Sequence, residues 1–339
     1  MKINKLTKKR EFISLAFLII LFLVVGVINS SFLTKNTVNA IINSSVVYII
    51  ITLAMAFPIF IGEIDVSVGS TLGLTAAVVG SMLRNGQSWI LAFFIALLIG
   101  AIVGLINGWG VTIMKIPSLI FTLGVNGILR GILYIYTKGE WVENIPKSFK
   151  DFSSKTLLGG LSIYITVTFL VIIILQYILT STKKGNYFKA IGDNTQASYL
   201  VGIPVVKSKI LAYILCGVLS SIAGIIFCSR IGFVTPTSGV GYEMRAVAGC
   251  VLGGVSLAGG VGSIVGSSIG AIIMSSISYI LVFVGLSSNY DNAITGIILI
   301  TIVVVDSYIN RNKEIKTRKA RLLARTSLDN EDLGVKNEK

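Results

Sequence analysis

The chain has 339 residues, 54% of them hydrophobic and 13% charged, with a formal charge of +14 and no histidine. Soluble domains carry about 25% charged residues, so this composition lacks the polar surface to cover a water-soluble globule and excludes a cytoplasmic enzyme. Without imidazole there is no histidine base, proton relay or metal ligand.

A helix needs about 20 mainly apolar residues to cross a bilayer. Ten stretches are read as spans: 12–28, 45–61 (carrying Pro58), 66–83, 89–113, 118–136, 160–180, 210–228, 246–258, 264–286 and 293–307. The fold class is therefore an all-α, polytopic membrane bundle of about ten transmembrane helices. The first span has a basic head like a signal peptide, but no small-residue cleavage site follows, and it reads as a retained helix. Span 246–258 is short for a crossing and reads as a full span, a half-helix or a re-entrant segment. Cys216, Cys228 and Cys250 lie in apolar runs and read as small buried hydrophobes.

Orientation follows from the basic residues. With a cytoplasmic N-terminus, the inside segments hold twenty of the 29 lysines and arginines and the outside segments seven. That asymmetry follows the positive-inside rule and puts both termini in the cytoplasm. The chain divides into a cytoplasmic segment 1–11, a transmembrane domain 12–308 and a charged tail 309–339. The tail reads as a solvated segment near anionic lipid headgroups, and the charge does not point to nucleic acid.

Taken in chain order, the polar groups inside or beside spans each need a reason, because a charge at a helix centre costs roughly 2.5–3.5 kcal/mol on insertion scales. Gly62-Glu63-Ile64-Asp65 reads as an interfacial turn with Asp65 capping the next helix, or as a broken-helix element at a pathway. Asn126 and Arg130 are four residues apart and share a helix face. Arg130 snorkels, pairs with a carboxylate or lines a polar route. Glu243 and Arg245 flank the start of the short span and read as an interfacial ion pair or a gate. Glycines at four-residue spacing (Gly69 and Gly73; Gly100, Gly104 and Gly108; Gly262, Gly266 and Gly270) suit close helix packing. Val68-Gly69-Ser70-x-x-Gly73 recurs as Val261-Gly262-Ser263-x-x-Gly266, a hint of internal duplication. The dipeptide Gly-Lys is absent, so no phosphate loop of the Walker A type exists. There is no nucleophile with a base, no metal cluster, and hence no cofactor.

Three blocks carry a family likeness. Gly62-Glu63-Ile64-Asp65-Val66-Ser67-Val68-Gly69, including Asp65, Ser67 and Gly69, resembles the Gly-Ile-Asp-Leu-Ser-Val-Gly signature of the ribose/xylose/galactose branch of ABC importer permeases. This chain has Glu63 where a glycine is usual. Thr122-Leu123-Gly124 through Arg130-Gly131, and the glycine-rich block from Val251 to Ser263, resemble two further blocks of that family in the same order. Within it, the stretches from Thr137 to Pro146, from Ser229 to Val234 and from Gly241 to Ala248, and Gly192-Asp193-Asn194-x-Gln196-Ala197, are similar to the branch that imports autoinducer-2.

The resemblance implies a permease subunit in a bacterial cell membrane, with ATP hydrolysis in a separate subunit. Its partners would be a second, related permease, an ATPase dimer and an extracytoplasmic solute-binding protein. The cargo implied is a small polyol-like molecule, autoinducer-2, with ribose, rhamnose or another simple sugar as the alternative. The resemblance also gives residues 183–209 to an ATPase-coupling loop carrying Gly185, Ala190, Gly192, Asp193, Asn194, Ala197 and Gly202, with Lys183, Lys184, Lys207 and Lys209 at lipid headgroups. A neutral polyol calls for hydrogen-bonding groups along the route, which makes Asn107, Ser118, Thr122, Asn126 and Arg130 lining candidates. A stand-alone secondary transporter is the competing class, and it lacks an intramembrane titratable chain.

Overall fold

The computed structural model describes residues 2–153, 155, 162–301, 303–305 and 308, with no side-chain description for 2–9 and 288. The expected tail 309–339 lies outside the described residues.

Ordinary capping chemistry delimits the helices. The first two are α1 (Lys2–Ile28) and α2 (Lys35–Phe60), the latter opened by Thr34 accepting from the Thr37 amide. Helix α3 (Val68–Arg84) and α4 (Trp89–Thr112) follow, then α5 (Ser118–Thr137), which stops at Lys138 in the left-handed region. A short α6 (Lys147–Asp151) precedes α7 (Ile163–Ser181), which Ser162 caps. Two short helices, α8 (Lys183–Asp193) and α9 (Thr195–Leu200), lead into α10 (Val205–Ile231). Helix α11 (Tyr242–Leu252) and the Ser263-capped α12 (Ile264–Phe283) complete the series, with a further apolar helix α13 at Asp291–Val305.

Among the described residues, seven helices are long and apolar enough to cross a membrane: α1 from Arg10, α2, α4, α5, α7, α10 and α12. They correspond to expected spans, α4 to within one residue at its end. Span 45–61 is corrected: α2 starts ten residues earlier and runs through Asn36, Asn39 and Asn43. Span 66–83 appears as the 17-residue α3, opening two residues later than expected. Span 246–258 is replaced by the 11-residue α11 and a non-helical stretch at 253–263, which makes it a half-helix. An α-helix rises 1.5 Å per residue, so α11 covers about half of a hydrocarbon core of roughly 30 Å.

Helix α2 sits at the centre, its inner half from Ile49 to Phe60 wholly buried. Around it, glycines set the spacing. A methyl group on Gly100 of α4 would overlap the Gly217 carbonyl and Ser221 Oγ of α10, and one on Gly104 would overlap the Tyr213 carbonyl. On α12, Gly266 and Gly270 lie against the carbonyls of Gly253 and Gly249 in the same way. Backbone-to-backbone approach of this kind replaces the hydrophobic drive that lipid cannot supply. Helix α1 is anchored towards its N-terminal end, where Arg10 Nη1 donates to the Gly254 carbonyl (2.9 Å) and Ser14 Oγ to that of Leu252 (2.6 Å).

Candidate functional site: an inner junction and a buried turn

Residues 183–209 fold as two short helices, α8 and α9, a turn at Gly202 and the first residues of α10. Thr182 Oγ1 accepts from the Gly185 amide (3.2 Å) to open α8, and Asn194 Oδ1 accepts from the Ala197 amide (2.9 Å) to open α9. Gly202 turns the chain at φ +77°. The apolar residues then divide. Phe188 and Ile191 are buried, with Phe188 edge-on to Phe57 of α2 at 5.8 Å between ring centroids. Tyr199, Leu200 and Val201 face outwards, Leu200 being 89% exposed. Ala190 is half-buried, whereas Asp193, Asn194 and Ala197 are exposed. Partial burial pushes the Lys189 ammonium below its ordinary pKa.

Gly192 makes the join. A side chain there would overlap the Phe60 carbonyl at the end of α2 and the Gly260 amide, and the same amide donates to Phe60 O at 3.0 Å. The end of α8, the end of α2 and the stretch before α12 therefore meet backbone to backbone. Gly185 packs as closely on the carbonyls of Ile178 and Leu179.

A second join lies beside it. Lys209 was expected at lipid headgroups. Its Nζ instead lies 2.7 Å from Glu63 Oε1, with the two side chains 15% and 18% exposed. A partly buried lysine gains more from a carboxylate than from screened solvent, and this contact spans residues far apart in the sequence.

The turn between α2 and α3 is built around Asp65, a carboxylate only 2% exposed. Its Oδ1 accepts from the Ser67 amide (2.9 Å) and Ser67 Oγ (2.6 Å), and its Oδ2 accepts from Asn107 Nδ2 (3.0 Å). Asn107 Nδ2 also donates to Ser67 Oγ (2.8 Å). Thr122 Oγ1 accepts from the Val66 amide (3.1 Å), and Ser118 Oγ from that of Ile64 (3.4 Å). The turn is thus laced to α4 and α5, and Asp65 organises an Asx-type turn just ahead of the helix. The buried carboxyl is tolerated here because its oxygens accept three hydrogen bonds.

Of the five lining candidates, Asn107 and Thr122 are fully buried in that network, and Ser118 is half-buried at its edge. Asn126 and Arg130 are half-buried higher on α5, and Asn126 Oδ1 has no hydrogen-bond partner. Arg130 Nη1 donates to the Ser238 carbonyl at 2.5 Å. The Glu243–Arg245 ion pair is not formed. Arg245 Nη2 pairs with Asp291 Oδ2 (2.7 Å), its Nη1 donates to Tyr48 Oη (2.7 Å), and Tyr48 stacks on Tyr242 at 4.9 Å. The two residues are neighbours in sequence, but the helix directs Arg245 towards α2 and α13. Nothing local in the sequence signals the Lys209–Glu63 and Arg245–Asp291 pairs; only the unusual Glu63 offered a trace.

Comparison with known proteins agrees with this architecture. Residues 36–303 match the family described as branched-chain amino acid transport system / permease component. The autoinducer 2 import system permease protein LsrC of Enterobacter sp. (strain 638) is 38% identical over 318 residues, covering 94% of this chain and 92% of that protein. The LsrC of Escherichia coli O157:H7 is 34% identical over 91% of this chain and 90% of its own length, and that of Salmonella typhi 34% over 88% and 85%. No solved structure matches.

Proposed function

The chain belongs to the family of branched-chain amino acid transport system permease components, multi-pass membrane transport subunits and not enzymes, and from that premise we propose that its cargo is autoinducer-2. An ABC importer permease works with an ATPase and a solute-binding protein; the proposal adds a second, related permease that forms the other half of the pore. The family assignment and the relatives' names support this reading.

The observation that carries the mechanism is the two-sided segment at 183–209. One side is buried on the inner ends of α2 and the stretch before α12, and the other offers Tyr199, Leu200 and Val201 to the outside. An exposed apolar tip on a basic cytoplasmic segment suits a groove on an ATPase. Closure of two ATPases presses the tip, and the contact at Gly192 passes the displacement to α2 with little loss, because close-packed backbone does not deform continuously. Rocking of the two permease bundles then alternates access. Asp65, Asn107, Ser118 and Thr122 hold the turn rigid beside the route, and Asn126 and Arg130 offer polar groups along it.

The test is uptake by the reconstituted complex with its binding protein, using labelled autoinducer-2 against ribose and rhamnose. Selective, ATP-dependent uptake of autoinducer-2 is expected. Preference for a sugar transfers the cargo to the simple-sugar class, and uptake without the ATPase on an ion gradient overturns the reading.

A further inference from the structure

The chain between α10 and α11 enters the bundle from the outer side as non-helical backbone. Val234 pairs with Val142 through two backbone hydrogen bonds (2.8 and 3.0 Å), and Val142 lies beside Gly80 in the outer half of α3. By Ser238 and Gly239 the same chain has reached Gly73 and Gly69, seven and eleven residues further down α3. At 1.5 Å per residue that is a descent of about 10–16 Å. Open backbone at such depth is tolerated only where it is buried in protein or lines a water-filled cavity; here Ser238 and Gly239 are buried while Thr237 and Val240 are exposed.

At the bottom of this descent two opposite charges face each other across Gly69 without meeting. A methyl group on Gly69 would touch Glu243 Oε2 and lie 3.4 Å from Arg130 Nη2. Yet the two side chains form no ion pair; Arg130 donates to the Ser238 carbonyl, Glu243 Oε1 accepts from the Gly241 amide (3.2 Å), and Oε2 is buried without a partner. An unpaired buried acceptor is costly, and more so when charged. A carboxylate acceptor and a guanidinium donor on the same side of Gly69, close but unpaired, have the chemistry that one hydroxyl group satisfies, since a hydroxyl donates once and accepts at the same oxygen.

We propose that Arg130 and Glu243, over the floor formed by Gly69 and beside the Ser238-Gly239 backbone, form a binding subsite for one hydroxyl of a neutral polyol in transit. This rests on the reading of the chain as a polyol permease and deepens it by naming the contact. The cargo hydroxyl donates a hydrogen bond to the Glu243 carboxylate and its oxygen accepts one from the Arg130 guanidinium, with no proton transferred.

The experiment compares uptake of autoinducer-2 and ribose with that of analogues of each lacking one hydroxyl, in the full reconstituted complex at saturating binding protein. Glu243→Gln is expected to lower uptake of the cargo roughly tenfold, the scale of one charge-assisted hydrogen bond, while changing uptake of the matching deoxy analogue less than about twofold. Arg130→Lys keeps the charge but loses the fork, and is expected to give the same selective loss; it serves where the Glu243 variant fails to assemble. Equal losses for cargo and every deoxy analogue indicate a structural role or a bound water only, and overturn the proposal, as does an unchanged rate. A wild-type complex that imports no polyol defeats the functional reading itself, an outcome distinct from equal losses in the variants.

Discussion

Lys209 Nζ and Glu63 Oε1 stand 2.7 Å apart, and the contact ties the first turns of α10 to the turn between α2 and α3. Because Lys209 lies in the first turns of α10, just after α9, the pair runs alongside the Gly192 join and gives this junction two connections. The pair adds little to stability, since pairs with some solvent access contribute about 0–1 kcal/mol.

Breaking that pair is therefore expected to uncouple more than it unfolds. Lys209→Met or Glu63→Gln should lower cargo-stimulated ATP hydrolysis several-fold with little change in thermal stability. The exchange variant carrying Glu63→Lys and Lys209→Glu should recover most of the loss. Stimulated ATPase activity and uptake in proteoliposomes measure both, and a double variant no better than the singles refutes the role.

Gly192→Leu should abolish uptake and stimulation while the permease still inserts. The added side chain meets the Phe60 carbonyl and the Gly260 amide, and overpacking of this sort costs typically 1–3 kcal/mol, too little to prevent membrane insertion of a bundle this size. Membrane fractionation beside an ATPase assay decides the matter; wild-type stimulation in this variant removes the coupling assignment from 183–209.

At the exposed tip the expectation reverses. Leu200→Asp removes an 89% exposed side chain, and exposed substitutions usually change stability by less than about 0.5 kcal/mol. Its effect should fall on assembly: the ATPase subunit no longer co-purifies, whereas the melting temperature of the permease is unchanged. Retained ATPase at wild-type stoichiometry contradicts the docking role.

Asp65→Asn should destabilise by about 1–3 kcal/mol, the range for leaving buried hydrogen-bonding groups mispaired. The carboxylate accepts from the Ser67 amide, Ser67 Oγ and Asn107, and an amide nitrogen in place of either oxygen sets donor against donor. Thermal unfolding in detergent checks it, and Asn107→Ala should lose a similar amount, since both variants damage one network and their effects are not additive.

Which stretches live in lipid was legible from residues alone. Hydropathy is a local sum, and a helix satisfies its own backbone hydrogen bonds, so α4, α5 and α12 needed no neighbours to be foreseen. The start of α2 was missed because the same local sum falls at Asn36, Asn39 and Asn43, whereas helical hydrogen bonding continues through them from the Thr34 cap. The resemblance marks 183–209 as one segment, but the division into a buried side at Phe188 and Ile191 and an exposed side at Leu200 and Val201 belongs to the folded chain alone.

The residue order by itself determined a polytopic helical bundle, a charged turn at Asp65 and glycines spaced for close contact. Only the folded arrangement decided who meets whom: Glu63 with Lys209, Arg245 with Asp291, Gly192 with Phe60, and Arg130 facing Glu243 across Gly69. The physical reason is range. Burial in lipid and helix formation are set by neighbours within a turn or two, but a partner for a buried charge is found wherever packing brings one, and packing belongs to the whole chain.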